Sequence, residues 1–197
     1  MTTTNQTSNT KKLVLGAVLT ALVVVLQLMG SFIRFGPFSV SLVLIPIVIG
    51  AATCGVGVGG WLGLVFGAVV LMSGDAGPFM AVNVGGTVLT VLAKGICCGI
   101  VSALAYKAFE KCNRYLAVIV AAVVCPVVNT GIFLLGCRLF FMETITAWAQ
   151  AGGYGGDVAR YAVFGLVGIN FLAELGFNIV LSPAIVRLLN LRNTQKS

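Results

Sequence analysis

Residues 84–106, VGGTVLTVLAKGICCGIVSALAY, decide how this chain folds. The stretch is long enough to cross a bilayer, which takes about 20 apolar residues, yet it carries Lys94 near its middle. A charge at that depth is costly, so it normally faces a polar partner or a cavity inside a helix bundle. Glu174 lies in the same way inside the last apolar run. The two charges predict a site within the membrane that binds or moves a solute.

The composition indicates the same fold class. Hydrophobic residues make up 59% of the 197 residues, charged residues make up 9%, and the mean hydropathy is +1.08. A soluble domain of this length does not need so much apolar surface. We predict an all-α integral membrane protein, a six-transmembrane-helix bundle with spans at 12–29, 41–53, 56–72, 84–106, 115–141 and 161–189. The second span is short and contains Pro46, which a tilted or broken helix tolerates inside a bundle.

Basic residues indicate the orientation, because cytoplasmic loops collect Lys and Arg. With six spans both termini lie on one side, and that side holds eight of the twelve basic residues, namely Lys11, Lys12, Lys107, Lys111, Arg114, Arg187, Arg192 and Lys196. We therefore predict cytoplasmic N- and C-termini. The predicted organisation is a polar disordered N-terminus at 1–11, one membrane domain at 12–190 and a cytoplasmic tail at 191–197. The net charge of +7 reports topology, since nucleic-acid binding would need a basic folded face.

The residue types that most often carry catalysis or bind metals are scarce. The chain has no histidine, and its six cysteines show no C-x-x-C spacing. A zinc site or a histidine-based proton relay is therefore not expected. We predict a protein that is not an enzyme and uses no cofactor and no metal.

Polar residues in the last three spans fall at one depth. Lys94, Asn129 and Asn170 each lie about 11 to 14 residues, or roughly 17 to 21 Å, from the external end of their span. Glu174 follows Asn170 by one helical turn on the same face. The pattern predicts a polar floor shared by three helices. The alternative is that Lys94 and Glu174 neutralise each other while the asparagines bridge helices.

Three further polar residues lie nearer the external surface. These three, Arg34, Asn83 and Arg138, would form with Arg160 a largely cationic rim above the floor, and such a funnel suits a small anion with several hydrogen-bonding groups. We include all three among the candidate substrate-binding residues. The glycine-rich stretch 143–160 lies outside the membrane on this topology, where it is either a lid or a plain connector.

Small residues recur at one-face spacing in two spans. Gly59, Gly63 and Gly67 in the third span predict close packing against a neighbouring helix, because small residues let backbones approach. The first span carries a weaker pattern of the same kind, Ala17 with Ala21.

These stretches resemble the substrate-binding S components of energy-coupling factor (ECF) vitamin transporters. The resemblance includes LVLGAVLTALVVVLQ at 13–27, with its Ala-x-x-x-Ala pair, and the more specific passage SLVLIPIVIGAATCGVGVGGWLGLVFGAVV at 41–70. It continues through VLTVLAKGICCGIVSALAYK at 88–107, CPVVNTGIFLLG at 125–136 and NFLAELGFNIVLSPAI at 170–185. Most of the chain is therefore covered.

The resemblance implies the substrate-capture subunit of an ECF-type ABC importer in a prokaryotic plasma membrane. Such a subunit binds a vitamin or precursor from outside and has no ATPase of its own. The resemblance also implies docking through Ala17 and Ala21 onto a transmembrane coupling subunit that two cytoplasmic ATPases drive. Within the family the chain looks most like the pantothenate branch, with folate and riboflavin as the other substrates considered. The implied partners are this vitamin, the coupling subunit, the ATPases and membrane lipid, without nucleic acid.

A different class of transporter is the alternative. An autonomous secondary transporter could use Lys94 and Glu174 as a proton or ion relay. It would transport its substrate when reconstituted alone with an ion gradient.

Overall fold

A computed structural model describes residues 2–31, 34–35, 38–39 and 41–194, with side chains described for 10–31, 41–168 and 170–187. The helices are α1 Thr2–Gly30, α2 Leu44–Cys54, α3 Val56–Met72, α4 Gly77–Met80, α5 Val84–Phe109, α6 Arg114–Phe140, α7 Met142–Ala151, α8 Val158–Arg160 and α9 Gly168–Thr194. A π-helical segment, Tyr161–Val167, connects α8 to α9. Two short strands, β1 Arg34–Phe35 and β2 Phe38–Ser39, pair antiparallel between α1 and α2. The architecture is helical as predicted, apart from this strand pair.

Three helices in the described part of the chain are long and apolar enough to cross a membrane. They are Thr10–Gly30 within α1, Val84–Phe109 and Arg114–Phe140. The segments Val158–Val167 and Asn170–Arg187 qualify together as a fourth span, bent by 48°. The helices α2 and α3 are apolar but shorter, at 11 and 17 residues. These lengths are those of a multi-pass membrane protein.

Both ends of the chain are more helical than the sequence suggests. The helix α1 begins at Thr2 and therefore includes the polar segment that we expected to be disordered. No glycine or proline occurs before Gly16, so nothing in the first turns interrupts the helix that the apolar part propagates. At the other end α9 continues to Thr194, into the segment predicted as a tail. Residues 195–197 of that tail lie outside the described residues.

Glycines bring α3 and α5 into backbone contact, which confirms the packing predicted from their spacing. A Cβ atom added to Gly63 would overlap the carbonyl oxygen of Gly95, and one added to Gly59 would lie 2.7 Å from that of Gly99. A Cβ on Gly67 would lie 3.0 Å from the carbonyl oxygen of Val91. Side chains at these positions would push the two helices apart.

Two apolar clusters fill the molecule. The larger one joins α1, α2, α3, α5, α6 and α9 and includes Phe66. The smaller one lies where α3 passes to α5 and α6 to α9, and it includes Phe79, Phe141 and Ile145. Ile145 belongs to α7, a helix within the segment predicted as a polar loop. The helix α7 forms there because Ile145 and Ala149, one turn apart, are both buried.

Candidate functional site

Glu174 is held in the middle of the bundle by groups from two other segments. It lies on α9 with 6% of its surface exposed. Its Oε1 accepts a hydrogen bond of 3.0 Å from the backbone N–H of Ser41, just before α2. The side chains of Ser41 and of Asn129 on α6 line the same cavity as the carboxylate. A buried carboxylate needs such donors, because burial without them is expensive.

Lys94 is partly buried on α5, and its ammonium group lies over two aromatic rings. The Nζ atom is 5.3 Å from the centre of the Phe66 ring and 5.6 Å from that of Phe133. Both distances fall within the range of cation–π attraction. The carboxylates of Glu174 and Asp75 are both near enough to attract Lys94. The two charges predicted from the sequence therefore lie close together, but each also contacts groups of its own.

A polar cavity of about 70 Å³ brings four of the predicted residues together. Lys94, Asn129, Asn170 and Glu174 all line it, as does Ser41. Asn129 is 5% exposed, and its Oδ1 has no hydrogen-bond partner among the described residues. The shared floor predicted from residue depth is therefore present as a cavity. We call it the first chamber.

A second polar cavity of about 60 Å³ adjoins the first and shares Ser41, Lys94 and Phe133 with it. We call it the second chamber. Its polar lining comes from Gln27 on α1 and Asp75 in the turn after α3, which the sequence did not single out. Both could have been predicted, because placing an amide or a carboxylate among apolar helices costs free energy, as placing Lys94 there does.

The residues predicted for the rim lie elsewhere. Asn83 is exposed at the start of α5, where its Oδ1 accepts a hydrogen bond of 2.9 Å from the backbone N–H of Gly86 and caps the helix. Arg138 is exposed on α6. Neither side chain lines either chamber. Arg34 belongs to β1, and its side chain lies outside the described residues.

The residues predicted to dock a partner lie on the outer face of α1. Ala17 and Ala21 are both exposed. Ala17 lines a groove of about 640 Å³ between α1 and α3. Trp61 closes one side of this groove, donating a hydrogen bond of 3.1 Å from Nε1 to the Thr20 hydroxyl.

A second apolar groove lies away from the charges, between α6 and the π-helical segment. It measures about 530 Å³ and is lined mainly by apolar side chains, among them Leu134, Phe164 and Leu172. A surface of that kind is what lipid tails contact in a bilayer. The two polar chambers are the better candidate for recognising a solute, because both combine charges with amides.

Comparison with known protein families finds one whose model matches this chain. The family model "ECF transporter, substrate-specific component" matches residues 11–186. Searches among curated proteins and among solved structures found no match. The matched region includes the part of α1 that carries Ala17 and Ala21 and every residue that lines the two chambers. The chain therefore belongs to the family of substrate-specific components of ECF transporters.

Proposed function

We propose that the chain captures a vitamin or vitamin precursor, with pantothenate as the best candidate, from outside the cell. As a family member it is a substrate-binding subunit of an ECF transporter and not an enzyme. In the proposed cycle it crosses a prokaryotic plasma membrane six times with cytoplasmic ends. It passes its ligand inward through a coupling subunit driven by two ATPases. The observation that carries the proposal is the first chamber, where four polar residues from α5, α6 and α9 converge.

The groups that line this chamber define the ligand they could bind. The Glu174 carboxylate and Asn129 Oδ1 are acceptors, so the ligand must donate hydrogen bonds. The Lys94 ammonium is a donor that rests on aromatic rings, so it is available to an acceptor on the ligand. Pantothenate offers both, with a carboxylate to accept and an amide N–H and hydroxyl groups to donate.

The positions of the larger aromatic residues favour pantothenate over riboflavin and folate. A flat ring system asks for aromatic faces to stack on. Trp61 lies on the outer face beside α1, and Trp148 packs on Phe79 with ring centres 5.4 Å apart. Tyr154 packs on Tyr161 at 5.3 Å. None of these four residues lines a chamber, and the aromatic residues that do so in the described part of the chain are phenylalanines, among them Phe133.

Mass spectrometry of the purified chain under native conditions tests the proposal. We expect a bound small molecule whose mass matches pantothenate. We also expect isothermal titration calorimetry to detect binding of pantothenate in preference to riboflavin and folate. Preferred binding of riboflavin or folate would identify that vitamin, and not pantothenate, as the substrate. If the purified chain carries no small molecule and binds none of the three, the chambers are not a vitamin site.

The second candidate function is ion-coupled transport by the chain alone. It is favoured by one observation, that Lys94 and Glu174 share a cavity between apolar helices. Proteoliposomes that contain only this chain distinguish the two functions. Accumulation of pantothenate under a proton or sodium gradient supports the autonomous transporter, whereas accumulation that requires the ECF module and ATP supports the S component.

A further inference from the structure

The volumes of the two chambers limit where a ligand can sit. Each measures only about 60 to 70 Å³, and one molecule of liquid water occupies about 30 Å³. Sites for small molecules usually measure about 300 Å³ or more. A ligand as large as a vitamin therefore does not fit in one chamber, and binding it requires the side chains between the two chambers to move apart and join them into a larger site.

Lys94 and Phe133 belong to the wall between the two chambers, because both line both chambers. The ammonium group of Lys94 is held over the rings of Phe66 and Phe133. A cation–π contact of this kind is weaker than a charge-assisted hydrogen bond to a carboxylate. A ligand anion can therefore draw the Lys94 side chain away from the rings and open the wall.

The second chamber has its own recognition groups. Gln27 is 1% exposed and Asp75 is 8% exposed. The Gln27 Nε2 atom donates a hydrogen bond of 2.8 Å to Asp75 Oδ2. This bond uses the donor of the amide and leaves Gln27 Oε1 without a partner among the described residues. A buried acceptor of this kind is costly until something donates to it.

We propose that Gln27 and Asp75 form a second subsite of the ligand-binding site, which accepts hydrogen bonds from hydroxyl groups of the ligand. Lys94 stands between this subsite and the first chamber and binds the ligand's carboxylate. The inference rests on the proposed function, and it adds the class of substrate, an acid that carries hydroxyl groups several bonds away from its carboxylate.

The test compares two ligands that differ only in their hydroxyl groups. Pantothenate carries two, and N-(3,3-dimethylbutanoyl)-β-alanine has the same carbon skeleton, amide and carboxylate without them. Calorimetric titration gives the ratio of the two dissociation constants for each protein. For the wild type we expect pantothenate to bind at least about tenfold more tightly than the analogue, because the analogue has no hydroxyl groups and would leave buried acceptors unpaired.

Variants of the second chamber should change this ratio. In Gln27→Leu we expect it to fall below about threefold, because the subsite has lost an acceptor for the hydroxyl groups. Asn178→Leu is the matched control, since it removes a buried amide from α9 that lines neither chamber, and its ratio should equal that of the wild type. Asp75→Asn, which keeps the shape of the side chain, gives a second measurement in case Gln27→Leu does not fold. Asp75→Asn should also lower the ratio of the two dissociation constants.

Three results separate the possible failures. If Gln27→Leu and Asp75→Asn weaken both ligands by the same factor, or change neither, the subsite is wrong while pantothenate binding and the proposed function stand. If Asn178→Leu lowers the ratio as much as Gln27→Leu does, the effect is a general one of buried amides and the subsite is again wrong. If the wild type does not bind pantothenate, the proposed substrate fails and the hydroxyl subsite fails with it.

Discussion

Two buried asparagines with different surroundings show what a polar side chain does inside this bundle. Asn129 on α6 lines the first chamber, and Asn178 on α9 lines neither chamber. They are 5% and 1% exposed. Asn129 Oδ1 has no partner in the described part of the chain, and neither does either amide atom of Asn178. Only the Asn129 oxygen faces a space that a ligand could fill.

Replacing each asparagine with leucine tests this difference. Asn129→Leu should weaken ligand binding by roughly 1 to 3 kcal/mol, because a ligand donor loses its buried acceptor. Asn178→Leu should leave the dissociation constant unchanged, and it should not lower the melting temperature, because it removes two unpaired polar atoms from an apolar environment. Calorimetry with pantothenate and thermal denaturation provide the two measurements. Equal affinities in the two variants would remove Asn129 from the site.

The charge of Lys94 can be tested separately from its packing. Lys94→Met keeps an unbranched side chain against Phe66 and Phe133 but removes the ammonium group. We expect binding of pantothenate to weaken by about 1.5 to 3 kcal/mol, or more than tenfold, because the ligand carboxylate loses a charge-assisted partner. Lys107→Met, at the exposed end of α5, is the control and should bind as the wild type does. Unchanged affinity in Lys94→Met would exclude a contact between Lys94 and the carboxylate.

At the scale of elements, glycines let α3 and α5 pack in backbone contact. The contact places Lys94 of α5 over Phe66 of α3. It depends on backbone meeting backbone at Gly63 and Gly95, where even one methyl group would overlap a carbonyl oxygen. A carbonyl oxygen cannot move aside as the end of a flexible side chain can, so the helices themselves would have to separate.

The expected outcome is a loss of stability that depends on position within one helix. Gly63→Ala should destabilise the protein by about 1 to 3 kcal/mol, as overpacking usually does. Gly57→Ala lies on the same helix where an added Cβ meets nothing within 4 Å, and it should be neutral or stabilise by up to about 1 kcal/mol through helix propensity. Thermal unfolding followed by tryptophan fluorescence in one detergent compares them. A melting temperature for Gly63→Ala at or above that of Gly57→Ala would contradict the packing.

Elements and site residues were predictable where the signal is local. The long apolar helices follow from uninterrupted hydrophobic runs, and the meeting of Lys94 with Glu174 follows from their depth in those runs. The chamber residues Ser41 and Gln27 were not found, because their partners lie far away in sequence, 133 residues for Ser41 with Glu174 and 48 for Gln27 with Asp75. Two-residue strands and the π-helical segment are too short to leave a periodic pattern.

At the scale of the whole molecule, α1 has two faces with different tasks. Its inner face places Gln27 in the second chamber, 1% exposed. Its outer face leaves Ala17 and Ala21 exposed beside the groove that Trp61 borders. Since small residues let another helix approach closely in a bilayer, the outer face suits the proposed coupling subunit. The inner face of the same helix lines the second chamber.

Bulky residues on the outer face should separate binding from transport. In Ala17→Trp and Ala21→Trp we expect pantothenate affinity within about twofold of the wild type, because neither position lines a chamber, but at least about tenfold slower uptake when the chain is reconstituted with an ECF module, because the large side chain blocks helix approach. Ala184→Trp, also exposed but on α9, should bind and transport normally. Loss of affinity in Ala17→Trp, or equally slow uptake in Ala184→Trp, would refute docking through this face of α1.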